Sequence, residues 1–299
     1  LAVILSLGLM VATIYLFISL RLYKYLKVKD YKKEVIKSLW KYSLPLIPNA
    51  ISWWVFNASD RVIASAFLGV DQNGILAASL KFSTVFITFY NIFNMSWTES
   101  ISIAIKDDDV SDYFNKMFNI ILRLFTALAI GMIACMPFVF PIMINEKFSD
   151  GYGLVPISII GSLFNVVVGL VSVIYIAKKN TKAIANTSIV SAIINIIVHL
   201  VLIKFIGLYA AVISTFVAFF IMSIYRLIDV SKRYFKVKMN IKFIIQSLIA
   251  LIVVFISYYI NNIYLNVFVV LFAVFFTIYI NKNSFDIILN MVMKKVKRG

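Results

Sequence analysis

The sequence predicts an all-α fold, a polytopic integral membrane helical bundle. The chain of 299 residues is 62% hydrophobic and 14% charged, and its mean hydropathy is +0.96. A soluble domain is about half apolar and about a quarter charged, so this composition does not fit a water-soluble core. Apolar runs of about 20 residues recur, which is the length that a helix needs to cross a bilayer. Because these runs lack the alternation of a β-barrel, we predict helices.

Nine apolar segments are predicted to be transmembrane helices. Their approximate ranges are 1–20, 43–67, 75–104, 116–140, 153–177, 183–205, 208–230, 242–261 and 264–281. The connections between them are short, and the longest outer one runs from Pro141 to Gly153. This leaves no room for an extramembrane catalytic domain. Leu1 lies inside an apolar segment without a starting Met, so we expect further spans upstream.

The net charge of +16 is concentrated in connections between the spans. Basic residues crowd the connection 21–42 and the stretch from Arg226 to Lys242, and more of them lie in the tail after 281. On the predicted outer side we find Lys147 and Lys204. Basic loops of this kind orient a membrane protein with those loops in the cytoplasm, beside anionic lipid. We therefore predict a multi-pass protein of the cytoplasmic (inner) membrane, with membrane lipids and not nucleic acid as partners.

Ionisable residues within the predicted spans are candidates for function, because each costs free energy in a bilayer. They are Asp60, Arg61, Lys81, Glu99, Arg123 and His199. If spans two and three form a hairpin about Asp71, the first three lie at one depth. A second hairpin turn, near Val110, would likewise place Glu99 and Arg123 at a common depth. Lys81 and Glu99 are also five helical turns apart and so share one face of span three.

Two interpretations of these charges stay open. In one, Asp60 with Arg61 or Lys81, and Glu99 with Arg123, are structural ion pairs between spans. In the other, the charges bind substrate or gate a water-filled cavity, and their sum of +1 would favour an anionic ligand. His199 is interpreted as a packed or interfacial histidine.

Prolines and tryptophans give weaker signals. Pro45 and Pro48 either begin span two or bend it and leave carbonyl groups free toward a cavity. Trp53, Trp54 and Trp97 do not lie at matched interface depths, so they either pack between helices or stack on sugar rings in a cavity.

Enzymatic motifs are missing from the sequence. It contains no His, Cys and carboxylate cluster with metal-ligand spacing, no phosphate-binding glycine loop and no plausible Ser–His–Asp set. The run Asp107-Asp108-Asp109 is more simply a solvated turn than an ion site. We predict a protein that is not an enzyme and has no cofactor or metal.

The order of several short motifs resembles a known family. These are Trp40-Lys41-Tyr42-Ser43-Leu44-Pro45-Leu46-Ile47-Pro48, Ser59-Asp60-Arg61, Phe67-Leu68-Gly69, Gly74, Lys81 and Phe93-Asn94-Met95-Ser96-Trp97. They resemble the central region of bacterial polysaccharide-repeat-unit flippases. These are the Wzx-type members of the multidrug/oligosaccharidyl-lipid/polysaccharide exporter superfamily.

The resemblance implies a fold of two six-helix lobes around a V-shaped cavity. Residues 1–20 would be the last helix of the N-lobe, and 21–42 a basic cytoplasmic connection. Residues 43–230 would form a six-helix C-lobe like that of the MATE exporters. Residues 231–299 would form an additional helix pair with a basic cytoplasmic tail.

The resemblance also implies an activity. Such flippases move undecaprenyl-pyrophosphate-linked oligosaccharide across the cytoplasmic membrane by alternating access, for surface polysaccharide (lipopolysaccharide or capsule) biosynthesis. Asp60, Arg61 and Lys81 would line or gate the cavity, and Glu99, Arg123 and Trp97 complete the predicted substrate-binding or gating set. The implied partners are the lipid-linked oligosaccharide and other polysaccharide assembly proteins. The alternatives are a peptidoglycan-precursor flippase or drug/cation antiporter of the same superfamily, and then a membrane-embedded oligosaccharide polymerase.

Overall fold

A computed structural model describes residues 2–21 and 32–296, with the backbone alone for 2–6 and 283–296. These residues form α-helices joined by short connections and contain no strand, which confirms the all-α prediction. The helices are α1 (Ala2–Ser19), α2 (Lys33–Ser43), α3 (Leu46–Leu68), α4 (Val70–Ala104), α5 (Val110–Met143), α6 (Val155–Ala177), α7 (Thr181–Ile206), α8 (Tyr209–Arg233), α9 (Ile241–Ile260) and α10 (Ile263–Val296). A 3₁₀ segment, Glu146–Leu154, joins α5 to α6.

Each of the nine predicted spans overlaps one of these helices, and α10 continues to Val296, fifteen residues beyond the predicted end of its span. Seven helices of the described chain, α4 to α10, are long and apolar enough to cross a membrane. The other two predicted spans are shorter or more polar. The apolar part of α1 covers Leu7–Ser19, and α3 has 23 residues but includes the adjacent charges Asp60 and Arg61.

The chain divides into two compact units, residues 1–44 and 45–299. The first contains α1 and α2. Helix α2 lies in the predicted basic connection 21–42, of which 22–31 fall outside the described residues. It is amphipathic, with Lys33, Lys37 and Lys41 among the apolar side chains of Val35 and Leu39. It thus has the composition of a helix at a membrane surface.

The second unit is built around α6, which packs against α4 and α8. Helix α7 packs against α3 and α8, while α5 packs against α9 and α10. Aromatic side chains on α4 and α5 fill the largest buried cluster, among them Phe86, Phe118 and Phe125. Large apolar side chains on the outer faces of α7, α9 and α10 are exposed, as in Ile197, Leu248 and Phe268. A bundle with an apolar exterior of this kind is a multi-pass membrane protein.

Two of the short helix connections contain a glycine with positive φ. Gly69 has φ +97° and separates the end of α3 at Leu68 from the start of α4 at Val70. Gly207 has φ +54° and lies just beyond the end of α7. Glycine reaches these angles without the steric cost of a Cβ atom. The turn between α3 and α4 therefore lies at Gly69 and not at the predicted Asp71.

Pro45 and Pro48 begin α3 and do not break it. Pro45 occupies the N-cap position, and Pro48 lies in the first turn, where backbone N–H groups have no helical acceptor. The Ser52 hydroxyl donates to the Pro48 carbonyl over 2.8 Å. The prolines are thus explained by the helix start.

Candidate functional site

A cavity of about 470 Å³ opens between α3, α4, α6 and α8 in the second unit. Its walls combine amide, hydroxyl and aromatic side chains with two charged residues, Asp60 and Arg61. The amide and hydroxyl residues are Asn57, Asn91, Asn94, Asn165, Ser83, Thr84, Ser158, Ser162 and Thr215. The aromatic residues are Trp53, Phe56, Tyr90 and Phe219.

Helix α4 contributes the longest wall of this cavity. Its lining residues recur at three- and four-residue intervals from Leu76 through Leu80 and Ile87 to Asn94, which places them on one face. The Tyr90 hydroxyl donates to Asn94 Oδ1 over 2.9 Å and so orients the amide at the wall. A polar stripe at helical spacing inside an apolar span is visible in the sequence, and it marks this wall.

The amide, hydroxyl and aromatic side chains of the wall suit the hydroxyl-rich portion of a ligand. Amide groups both donate and accept hydrogen bonds, so the asparagines can bind ligand hydroxyls in either role. Trp53 lies against Phe56 and Phe219, with ring centroids 5.8 and 5.7 Å away. Flat aromatic faces of this kind bind the apolar faces of ring-shaped ligands.

The Asp60 carboxylate belongs to a buried hydrogen-bonded cluster at the cavity wall. Its Oδ1 lies 3.1 Å from His199 Nδ1, and its Oδ2 accepts from the Thr215 hydroxyl over 3.0 Å. Asp60 is 8% exposed and His199 is 0% exposed. Both carboxylate oxygens are therefore bound, and α3 is joined to α7 and α8.

A second set of hydrogen bonds supports this cluster. The Ser59 hydroxyl donates to Asn195 Oδ1 over 3.2 Å, and the Asn195 amide donates to Ser214 and Thr215. Asn195 and His199 are four residues apart on α7, so both face the same seam. His199 was interpreted as a packed histidine, and its partner was not predicted. No sequence pattern shows that residues 139 positions apart meet.

Arg61 is an exposed cation on the cavity wall. Among the described residues, no carboxylate lies within 4.0 Å of its guanidinium. The predicted pairing of Asp60 with Arg61 or Lys81 is therefore wrong for this structure, because the carboxylate contacts His199 and Thr215 instead.

Lys81 lies apart from Asp60 and Arg61. It lines a smaller cavity of about 300 Å³ with Gly74, Asn145 and Phe148. Because the turn is at Gly69, Lys81 is twelve residues beyond it and Asp60 nine residues before it, a difference of about 4.5 Å along the axes. The prediction of one common depth is wrong by about one helical turn. A gating role of Lys81 stays a prediction.

Glu99 and Arg123 do not form the second predicted ion pair. Helix α4 ends at Ala104 and α5 begins at Val110, so the middle of the turn is Asp107. Glu99 then lies eight residues before it and Arg123 sixteen after, about 12 Å apart in depth. Glu99 is exposed, and the Arg123 guanidinium lies 5.5 Å from the Phe243 ring centroid on α9. A contact of this kind stabilises the cation without a carboxylate.

Trp97 lies in the packed core and does not line the cavity. It is 2% exposed, its indole N–H donates to the Leu170 carbonyl over 3.2 Å, and its ring lies 5.6 Å from that of Phe114.

Of the six predicted site residues, Asp60 and Arg61 line the main cavity. The other three predicted charged residues, Lys81, Glu99 and Arg123, do not line it. The prediction that all five charges, with a sum of +1, share one cavity is therefore wrong for this cavity.

Arg226 was counted with the basic cytoplasmic residues, and the structure places it in the interior. It is 2% exposed. Its guanidinium donates to the hydroxyls of Thr187, Ser188 and Ser172 and to the carbonyl of Ile184. Arg226 lies near the end of α8, three residues before Asp229, where a basic residue is typically exposed at the membrane surface. The partners that hold it come from α6 and α7.

The helices and their order define the fold of a known class of membrane transporters. Solved structures with this arrangement belong to transporters of the superfamily called MOP, which includes the multidrug MATE exporters. No protein-family model matches the sequence, and no curated protein matches it. The fold assignment therefore rests on the three-dimensional comparison.

Three solved structures illustrate the similarity. The lipid II flippase MurJ, in an inward closed conformation, is similar with a TM-score of 0.63 and 17% identity over 94% of this chain. An outward-facing MATE multidrug resistance transporter is similar with a TM-score of 0.56 and 14% identity over 74% of this chain. A MOP transporter from Pyrococcus furiosus, described as having a binding pocket of reverse polarity, gives the same values. The chain covers 62% of MurJ and 52% of each of the other two, less than two thirds of their length.

Proposed function

We propose that the chain is part of a flippase for undecaprenyl-pyrophosphate-linked oligosaccharides in the cytoplasmic membrane, acting by alternating access in surface polysaccharide synthesis. In this proposal residues 43–230 are the C-lobe, residues 231–299 are the additional helix pair, and the cavity between α3, α4, α6 and α8 is one half of the translocation path.

The observation that carries the proposal is the chemistry of the cavity wall. Four asparagines and several hydroxyl side chains offer hydrogen bonds to sugar hydroxyls, and the partly exposed Trp53 offers an aromatic surface. Arg61 supplies one exposed cation for a phosphate oxygen. A wall with one carboxylate, itself bound to His199 and Thr215, supports a transporter of organic cations less well.

A second candidate within the same class is a flippase for a peptidoglycan precursor. The similarity to MurJ over 94% of this chain favours it. Both substrates would be lipid-linked and would present a pyrophosphate and sugars to the same wall, so the sugar portion distinguishes the two candidates. A drug/cation antiporter and an oligosaccharide polymerase rank below them.

Complementation tests the proposal directly. The natural full-length protein is expressed in one bacterial strain that lacks its polysaccharide flippase and in another depleted of its peptidoglycan-precursor flippase. We expect restored surface polysaccharide in the first strain and no rescue in the second. Rescue of the second strain alone would establish the other candidate, and rescue of neither strain would contradict both.

Arg61→Ala tests the role of the cavity cation in the same assay. We expect at least a tenfold loss of surface polysaccharide at an unchanged protein level, because a charged hydrogen bond to phosphate contributes about 1.5–3 kcal/mol. Lys147→Ala is the matched control, since Lys147 is exposed in the 3₁₀ segment and lies outside the cavity. Equal losses in both variants would contradict a role specific to the cavity.

A further inference from the structure

The connection between α8 and α9 is bound along its backbone by side chains of α5. This connection, residues 234–240, is termed the strap. Asn115 Nδ2 donates to the Lys236 carbonyl over 3.1 Å, and Asn115 Oδ1 accepts from the Lys238 amide over 2.6 Å. One side-chain amide therefore binds the strap through both its donor and its acceptor, as a backbone peptide group does in a sheet.

Asn119 repeats this arrangement four residues further along α5. Its Nδ2 donates to the Lys238 carbonyl over 2.8 Å, and its Oδ1 accepts from the Asn240 amide over 3.2 Å. Each asparagine also donates to the carbonyl four residues before it, Asn115 to Ser111 over 2.8 Å and Asn119 to Asn115 over 2.7 Å. These bonds within α5 hold both amides in the orientation that the strap requires.

The spacing of the two asparagines matches the repeat of an extended chain. Positions four apart on an α-helix are separated by about 6 Å along its axis, and two residues of an extended chain cover about 6.6 Å. The same stripe of α5 continues to Arg123, whose guanidinium lies 5.5 Å from the Phe243 ring in the first turn of α9. Asn115, Asn119 and Arg123 therefore follow the chain from the strap into α9.

The side chains of the strap alternate as they do in a strand. Phe235 and Val237 pack against the largest buried cluster, whereas Lys236 and Lys238 are exposed. The Lys238 ammonium lies 3.5 Å from the Asp112 carboxylate, and both side chains are mostly exposed, so this ion pair contributes little. The bonds from α5 thus reach the strap backbone and do not depend on the lysine side chains.

We propose that Asn115 and Asn119 form a binding site for an extended peptide backbone, and that the strap is the ligand of this site. Apolar helices in a bilayer gain little from packing on one another, because lipid is equally apolar. Directional hydrogen bonds at the membrane surface then determine where α9 begins against α5. The site makes the junction of α8 and α9 a fixed connection, whichever substrate the protein transports.

Hydrogen exchange resolved to single amides tests the site in the natural full-length protein in nanodiscs. The Lys238 and Asn240 amides donate to α5, whereas the Met239 amide between them has no hydrogen-bond partner among the described residues. We expect the two bound amides to exchange at least tenfold more slowly than that of Met239. Equal rates at all three positions in the wild type would overturn the proposal, whether or not any variant folds.

Substitutions assign each protected amide to its partner. Asn115→Ala is expected to accelerate exchange most at Lys238, and Asn119→Ala most at Asn240, each at least tenfold. Lys116→Ala is the matched control, since Lys116 is exposed between them on α5, and we expect no change. Replacing Lys236 and Lys238 together by alanine is expected to preserve the slow exchange. Loss of protection in that double variant, or equal acceleration throughout α8 and α9, would contradict binding through the backbone.

Spin labels measure the position of α9 separately. In a Cys135→Ala background, one pair joins Lys116 on α5 to Lys242 on α9, and a control pair joins Lys116 to Lys178 at the end of α6. We expect narrow distance distributions for both pairs in the parent protein. Alanine at both asparagines is expected to broaden the distribution of the first pair alone. An unchanged first pair, or equal broadening of both pairs, would overturn the role of the site in positioning α9.

Discussion

Arg226 is a cation held inside the bundle by neutral partners. Its guanidinium contacts hydroxyls on α6 and α7 and one backbone carbonyl, and the Ser188 hydroxyl in turn donates to Asn49 Oδ1 over 2.6 Å. Four helices, α3, α6, α7 and α8, therefore meet through one side chain and its neighbours. Buried charges persist where hydrogen bonds replace the lost hydration, and this network supplies them.

Arg226→Ala is expected to destabilise the protein strongly. The substitution removes several hydrogen bonds and leaves a void, and each effect costs about 1–3 kcal/mol. Thermal unfolding in detergent measures the change. Arg233→Ala is the control, because Arg233 lies on the surface and pairs with Asp229 at 2.7 Å, and we expect its unfolding temperature to stay near that of the wild type. Similar temperatures for both variants would contradict a structural role for the buried network.

At the level of single residues, the sequence identified Asp60 and Arg61 as candidates for function. It could not predict which side chains they contact. The cost of charge in a bilayer identifies such residues from one position alone. The contact between Asp60 and His199 depends on α3 and α7 packing side by side, which no local pattern encodes. Lys81 and Glu99 do share a helix face, but the face that lines the cavity is the neighbouring one, through Leu80 and Asn94.

The packing of α4 against α6 depends on a glycine opposite a tyrosine. A Cβ atom on Gly169 would collide with the hydroxyl and ring of Tyr90. Tyr90 is 4% exposed and donates to Asn94 at the cavity wall. Gly169 thus lets the two helices approach closely and holds part of the wall in place.

Gly169→Val is expected to lower stability by about 1–3 kcal/mol, because overpacking forces Tyr90 and α4 to move. Gly131→Ala on α5 is the control, since a Cβ atom there meets nothing within 4 Å and alanine favours a helix. Thermal unfolding in detergent compares the two variants. Unchanged stability in Gly169→Val would contradict the close approach of α4 and α6.

Helix boundaries were predicted within a few residues for most elements, because apolar length and flanking charge are local properties. Two boundaries had consequences for the site. The turn at Gly69 is two residues earlier than predicted, and α5 begins at Val110, six residues before the predicted start. A displaced turn changes the depths of the two helices that it joins in opposite senses. Lys81 and Asp60 are therefore about 4.5 Å apart in depth, and Glu99 and Arg123 are about 12 Å apart.

On the scale of the whole molecule, the second unit contains a cavity with polar side chains set among apolar helices. The cavity draws on four helices that are not all neighbours in the sequence, so its composition could not be predicted from any one span. The fold class follows from hydropathy, whereas the amide-rich and aromatic wall follows from the packing of α3, α4, α6 and α8. This contrast explains why the sequence predicted the bundle well and the site in part.

The central claim is that this wall contacts the sugar portion of a lipid-linked oligosaccharide. Photo-crosslinking tests it most directly, with a photoreactive residue introduced at Asn91 on the wall or at Ile197 on the outer face of α7, which is 55% exposed. Each variant of the full-length protein is irradiated in membranes that contain the radiolabelled lipid-linked oligosaccharide. We predict a crosslink to the sugar at position 91 and none at position 197. Crosslinks of equal yield at both positions, or at position 197 alone, would contradict the claim.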